Sequence, residues 1–153
     1  MKKFTSKIYL FISLFCIVIS CATPKKNSDK TTVIEKNQNY RKIKAKIGEL
    51  NNSDPFDIKN IEMQNNTLLI SLSYTGGCGE HSFEMIGSES LLKTNPPKRK
   101  VKLIHKNHED YCKKIINEEI SVFISDLSCT KMKGAETILL LDGWDKEIKY
   151  IYK

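Results

Sequence analysis

Several familiar signs of function are missing from this chain. Its five cysteines include no C-x-x-C pair, which removes the strongest sequence sign of a metal site. No Lys-Ser/Thr follows Gly76-Gly77-x-Gly79 and no helix opens there, so these glycines are not a phosphate loop. Nothing resembles a Ser-His-Asp motif, a nucleotide-binding fingerprint or an EF-hand, and neither an internal repeat nor a heptad is present. Charge of one sign is scarce where it would matter. The formal net charge is +7, but residues 22–50 hold eight Lys or Arg against three acidic residues, whereas residues 51–153 hold fourteen against fifteen. A nearly neutral domain carries no electrostatic footprint for nucleic acid.

Long apolar runs are equally rare. The one at the start, Ile8 to Ile19, is interrupted only by Ser13 and follows Lys2, Lys3 and Lys7. It falls well short of the roughly 20 residues that a bilayer-spanning helix needs and suits the core of a signal peptide. The run ends in Val18-Ile19-Ser20-Cys21, which resembles the lipobox of bacterial lipoprotein precursors. That resemblance implies a lipoprotein signal peptide over residues 1–20 and a diacylglyceryl thioether and fatty acyl chains on Cys21, the first residue of the mature protein. An ordinary secretory signal cut near Ser20, or an uncleaved anchor, is the rival reading. Two or three acyl chains give stable anchoring, and the resemblance implies a place in the cell envelope, with the expectation of the outer membrane on its periplasmic or surface face. Residues 21–42 are rich in Lys, Asn, Thr and Ser and read as the lipidated cysteine and a flexible tether. A basic segment lying on anionic lipid is the alternative for this stretch.

Residues 43–153 are enough for one domain with a single core. Their apolar pattern has period two. Leu68, Ile70, Leu72 and Tyr74 share one face opposite Ser71, Ser73 and Thr75, after a turn at Asn65-Asn66. His81, Phe83 and Met85 alternate in the same way, as do Val101, Leu103 and His105. Further strands are expected over Ile120–Ser125, Thr137–Leu141 and Glu147–Tyr152. The fold class is therefore all-β, a small antiparallel β-sandwich of seven or eight strands. At most one short helix is expected, over Asp110–Asn117 with Asp110 as its N-cap.

The stretch that organises the chain is Tyr74-Thr75-Gly76-Gly77-Cys78-Gly79-Glu80-His81, a glycine-rich turn between two strands. A second group of the same residue types, His105, His108 and Cys112, follows far down the chain. Three chemistries compete for them. Outside the cytoplasm, a disulfide is the default for two of Cys78, Cys112 and Cys129. Cys78 with Cys112 is the favoured pair, since both adjoin turns and the histidine-bearing segments, leaving Cys129 as a free buried thiol. A zinc or copper site would draw on Cys78, His81, His105, His108 and Cys112. A Cys78 nucleophile activated by His81 is the third option, although no orienting group is recognisable. A binding surface around Trp144, Gly76, Gly77 and Glu80 needs no such chemistry, and Trp144 at a turn suits either a binding anchor or packing over a hairpin. Lys98-Arg99-Lys100-Val101-Lys102 reads as a solvated start to a strand.

The order Tyr74-Thr75-Gly76-Gly77-Cys78-x-x-His81-x-Phe83, Pro96-Pro97, Leu103-Ile104-His105 and Asp110-x-Cys112 resembles that of small bacterial lipoproteins. More distantly it is similar to NigD-like lipoproteins with a β-sandwich domain. The resemblance spans Leu68 to Tyr152 and implies an envelope lipoprotein while leaving its activity open. The expectation is a non-enzymatic binding or interaction domain with no cofactor, held to a membrane by its lipid. Its partner would be an envelope protein or a small ligand, not nucleic acid. The alternative is a periplasmic zinc- or copper-binding lipoprotein.

Overall fold

A computed structural model of the chain describes residues 40–153. The signal peptide, Cys21 and all but the last three residues of the inferred tether lie outside the described residues. Period-two alternation becomes two packed sheets. The strands are β1 (Arg41–Lys44), β2 (Lys46–Ile47), β3 (Asp57–Gln64), β4 (Thr67–Gly76), β5 (Ser82–Leu92), β6 (Lys98–Lys106), β7 (Lys114–Phe123), β8 (Glu136–Leu141) and β9 (Ile148–Ile151), with one 3-10 turn at Ser125–Leu127. A four-stranded sheet in the order β1-β7-β4-β3 faces a five-stranded sheet in the order β2-β5-β6-β8-β9. Leu68, Ile70, Leu72, Ile120 and Val122 of the first sheet meet Met85, Val101, Leu103, Leu139 and Tyr150 of the second, all nearly inaccessible to solvent. This is the all-β sandwich that the alternation predicts.

The hairpin turn falls at Asn65-Asn66, with Asn65 at φ 55°, and joins β3 to β4 in antiparallel register. Antiparallel pairs also join β4 to β7, β5 to β6 and β8 to β9. Parallel pairs join β1 to β7, β2 to β5 and β6 to β8, an arrangement alternation alone does not specify. β1 and β2 are one stretch of chain that passes from sheet to sheet at Ala45, whose N–H donates to the Phe123 carbonyl at 2.8 Å. Its single methyl group is fully buried where the two sheets converge.

The short helix expected over Asp110–Asn117 does not form. Lys114–Asn117 instead begin β7 and pair with Gly76–Ser73 of β4. A two-turn helix makes few internal hydrogen bonds, whereas the strand gains a full ladder and places Ile116 against the core. A second correction concerns the basic run. Arg99 is buried, not solvated, and every hydrogen bond from its guanidinium goes to a backbone carbonyl: Leu127 at 2.8 Å, Ser128 at 3.3 Å, Glu89 at 3.4 Å, and Ser88. Burial pushes its pKa down from the usual guanidinium value. It ties the irregular stretch of β5 after Gly87 to the 3-10 turn. Gly87 makes room for this clamp.

Between β2 and β3 the chain forms a strap, residues 48–55, along the outside of the second sheet. Gly48 donates to the Gly87 carbonyl at 3.0 Å, and Asp54 donates to the His105 carbonyl at 2.9 Å. Ser53 Oγ accepts from the His105 N–H at 2.9 Å, and Asp54 Oδ2 from the Asn107 N–H at 2.8 Å. The strap thus fixes the end of β6 on which His105 lies.

A Cβ on Gly87 would lie 2.6 Å from Leu127 Cδ2 and 2.8 Å from Arg99 Cδ. We expect Gly87→Ala to cost about 1–3 kcal/mol through overpacking. Urea denaturation checks this as a lower midpoint with an unchanged slope.

Candidate functional site

At one end of the sandwich the chain leaves β4, turns through Gly77–Glu80 and enters β5. Beside it, residues 107–113 connect β6 to β7. Cys78 and Cys112 join these two loops in a disulfide, with Cα atoms 5.9 Å apart. The Asp110 carboxylate fastens them a second time. Its Oδ2 accepts from the N–H groups of Cys78 and Gly79, each at 2.9 Å, and its Oδ1 accepts from the Cys112 N–H at 2.9 Å. The cap role expected of Asp110 is therefore exercised, but on two loops in place of a helix. These donors, Cys112 first, then Cys78 and Gly79, hold its carboxyl well below the usual carboxylate range.

The glycine pattern now has a mechanical reason. A Cβ on Gly76 would collide with the His81 ring, and Gly77, at φ +104°, adopts a conformation that L side chains rarely tolerate. With Gly76 bare, the His81 ring enters the interior and its Nε2 lies 3.2 Å from Asp110 Oδ2. On its other side Nδ1 meets His105 Nε2 at 2.8 Å, and His105 Nδ1 meets the Pro55 carbonyl at 3.2 Å. The two rings are inclined by 12°, so this short contact joins them edge to edge. Tyr74, Phe83 and Phe56 wall them in, with centroids 4.9, 4.7 and 6.1 Å from His105.

The protons of this chain can be counted, and the tautomers assigned from the hydrogen-bond network. Pro55 O only accepts, so His105 Nδ1 carries a proton. Ionised Asp110 only accepts, so His81 Nε2 carries one. The contact between the rings needs a third. Burial lowers the His105 pKa from the usual imidazole value. The His81 and Asp110 side chains are 3% and 1% exposed, and their polar atoms are used by one another and by the backbone. A nearby branch joins the same end: Tyr74 OH donates to Glu118 Oε2 at 2.8 Å, Arg41 Nε donates to Glu118 Oε1 at 2.6 Å, and Arg41 also donates to the His81 carbonyl. Burial, followed by this bond to Glu118, raises the Tyr74 pKa to about 12.

The structure brings together Cys78, His81, His105 and Cys112, but not as one ligand set. Both sulfurs are consumed in the disulfide, and His105 bonds to a ring and a carbonyl. His108 faces away, its Nε2 2.8 Å from Ser82 Oγ. A cluster of Cys78, Asp110 and Cys112 atoms lies within 4.8 Å, yet as a disulfide the sulfurs offer no thiolate. Cys129 is a free thiol, half-buried and not fully buried, with Sγ 3.5 Å from the Glu136 carbonyl. Trp144 packs against the core, with the Lys146 ammonium 5.6 Å from its ring centre. Glu80 is exposed in the turn.

Sequence reading passed over Tyr111. It sits between Asp110 and Cys112, the two most firmly tied residues of the site, and is 85% exposed. Ile115, 67% exposed, follows on β7. His108 and Glu109, at φ 47° and 62°, hold the loop in the left-handed region, a conformation that the surrounding bonds must enforce. An aromatic bracketed by an Asp and a half-cystine was the available signal.

Two outcomes are expected. Replacing Cys78 by Ser opens a loop closed by residues 34 apart and should lower stability by about 3–4 kcal/mol in the chain-entropy model, read by chemical denaturation. Asp110 has a depressed folded pKa, so its contribution is present above the ordinary carboxylate pKa and is lost as pH falls through the folded value. Stability should therefore decline below roughly pH 4, and Asp110→Asn should flatten that decline. An equally steep decline in the variant would detach Asp110 from the acid response.

No family model matches this chain, and no curated protein matches it in sequence. Solved structures do match its fold. A NigD-like immunity protein from Bacteroides caccae superposes with a TM-score of 0.59 at 17% identity, covering 76% of this chain and 66% of that one. A putative toxin-related protein from Parabacteroides distasonis gives 0.48 at 17% identity, covering 72% of this chain and 61% of that one. A Bacteroides vulgatus protein of unknown function gives 0.44 at 14% identity, with coverage of 74% and 56%. This chain thus spans slightly under two thirds of the first structure's length and less of the others. The similarity is one of fold, that of a NigD-like β-sandwich.

Proposed function

We propose that this chain is an envelope lipoprotein, anchored through Cys21, whose β-sandwich is a non-enzymatic module that binds a protein partner at the end carrying Tyr111. One observation carries the reading: a fully presented aromatic side chain stands on a loop that a disulfide and a carboxylate hold from both sides. Rigid, exposed aromatic anchors contribute disproportionately to protein interfaces, because little side-chain freedom remains to be lost on binding. The buried His81–His105–Asp110 chain supports the same reading, since its atoms are engaged in building the end. Immunity is the word that describes the similarly folded Bacteroides caccae protein. Carried to this chain, it would make the partner a toxin protein.

A photo-crosslinking amino acid at position 111, in cells making the lipidated protein, tests this. We expect an adduct with a discrete envelope protein at position 111, none with the same probe at Lys146, and loss of the adduct when Cys21→Ala frees the chain from the membrane. Equal labelling from positions 111 and 146 would dissolve the proposal.

A further inference from the structure

The disulfide is not alone in placing its two sulfurs. Asp110 holds the backbone on both sides of the bond: Oδ2 accepts from the Cys78 and Gly79 N–H groups, and Oδ1 from the Cys112 N–H, all at 2.9 Å. None of these bonds passes through sulfur. A reduced chain therefore keeps a tie between the two loops, and its thiols remain neighbours at this end of the sandwich. Cys78 is exposed and Cys112 half-buried, so the pair is reached from solvent.

Reduction changes what those sulfurs can do. A newly made chain carries them as thiols, and a dithiol reductant returns the folded chain to that state. It donates two electrons and two protons to Cys78 and Cys112 and leaves as its own disulfide. A carboxylate oxygen of Asp110 lies within 4.8 Å of both sulfurs. The two oxygens of Asp110 are unequally used. Oδ2 meets the two loop N–H groups and His81 Nε2, whereas Oδ1 meets the Cys112 N–H alone. A carboxylate oxygen with one donor keeps a lone pair to give. Two thiolates and one carboxylate make a soft, anionic donor set. It suits Zn²⁺ better than Mg²⁺ or Ca²⁺ and leaves the fourth tetrahedral position to water. The histidines that the spacing offered are not in this set: His81 and His105 bond to each other, and His108 to Ser82. The loop N–H bonds to Asp110 serve as the outer contacts that orient a ligating carboxylate.

We propose that the disulfide is one of two exclusive states of the same thiols, and that in the reduced state Cys78, Cys112 and Asp110 hold one thiophilic divalent cation of the Zn²⁺ type. Binding replaces the two thiol protons by the metal and releases them to solvent. Oxidation draws on the same sulfur electron pairs. A bound cation therefore blocks disulfide formation, and the disulfide excludes the cation.

The test uses the full chain in non-ionic detergent, with Cys129→Ser to remove the free thiol. The chain is reduced with a phosphine, freed of it, and titrated anaerobically with Co²⁺, a spectroscopic stand-in for Zn²⁺. A thiolate-to-cobalt charge-transfer band should saturate at about one ion per chain and be absent from the oxidised chain. Zn²⁺ should bleach that band by displacement, slow the loss of thiols to oxidised glutathione, and raise the thermal midpoint of the reduced chain but not of the oxidised one. Cys78→Ser should abolish the band, and Asp110→Asn should weaken binding roughly tenfold or more. Circular dichroism follows the sheets throughout. No band in the reduced chain, a band that survives Cys78→Ser, or a folded Asp110→Asn variant that binds as tightly as the parent would each overturn the proposal. So would loss of the sheet signal on reduction, because the site needs the reduced loops in place. Should Asp110→Asn not fold, the midpoint decides: Zn²⁺ that moves it equally in both states, or in neither, overturns the proposal. Tyr111 is unchanged throughout, so failure here leaves the cross-linking proposal standing, and the reverse holds too.

Discussion

The Asp110 carboxylate is the constraint on which the shaped end of this protein depends. It satisfies three loop N–H groups and meets the His81 ring at 3.2 Å. Without an anion there, the hydrogen-bonded chain from His81 through His105 to Pro55 would lose its terminal acceptor. The disulfide acts differently, chiefly by restricting the unfolded chain. One device limits where the loops can go, and the other determines how they sit. The aromatic walls of Tyr74, Phe83 and Phe56 strengthen this division by excluding water, which raises the cost of any unpaired polar atom.

The sandwich was legible because its cause is local. A strand with one buried face writes its burial into every second residue, as Leu68–Tyr74 and Val101–His105 show. Cross-sheet matters were not legible. No period in Ile43-Ala45-Ile47 announces that the chain changes sheets at Ala45 or pairs in parallel on both sides of it. The helix expected at Asp110–Asn117 failed because a capping aspartate looks the same whether it caps a helix or a remote loop. Arg99 misled for a related reason: residue type suggests solvent, but four backbone carbonyls gathered from β5 and from residues 127–128 supply what water would have supplied. At the site, the importance of the Gly-Gly-Cys-Gly turn and of His81 and His105 could be read from the sequence. That the histidines bond to each other and to Asp110 could not, because that depends on the crossing of β4, β5 and β6. Tyr111 was hidden by composition, since an isolated tyrosine carries no sign of exposure.

Fold similarity and site construction contribute separately to the functional reading. A shared NigD-like sandwich describes a scaffold, and scaffolds host unrelated activities. In this chain, buried polar groups are concentrated at one end. Buried polar networks are costly unless every member is satisfied, and among the described residues no buried side-chain nitrogen or oxygen is left without a partner. Such completeness favours one loop geometry over its neighbours, which is what a surface meant for recognition requires.

Arg41 has a mechanical consequence. It begins the first strand, immediately after the N-terminal segment, and its guanidinium bonds to Glu118 in one sheet and to the His81 carbonyl beside the other. Tension arriving from the N-terminal side therefore meets a junction shared by both layers before it loads the hydrogen bonds between β1 and β7. Those bonds join parallel strands, and the chain continues through Ala45 into the second sheet. The domain is thus braced at the point where a tether would pull.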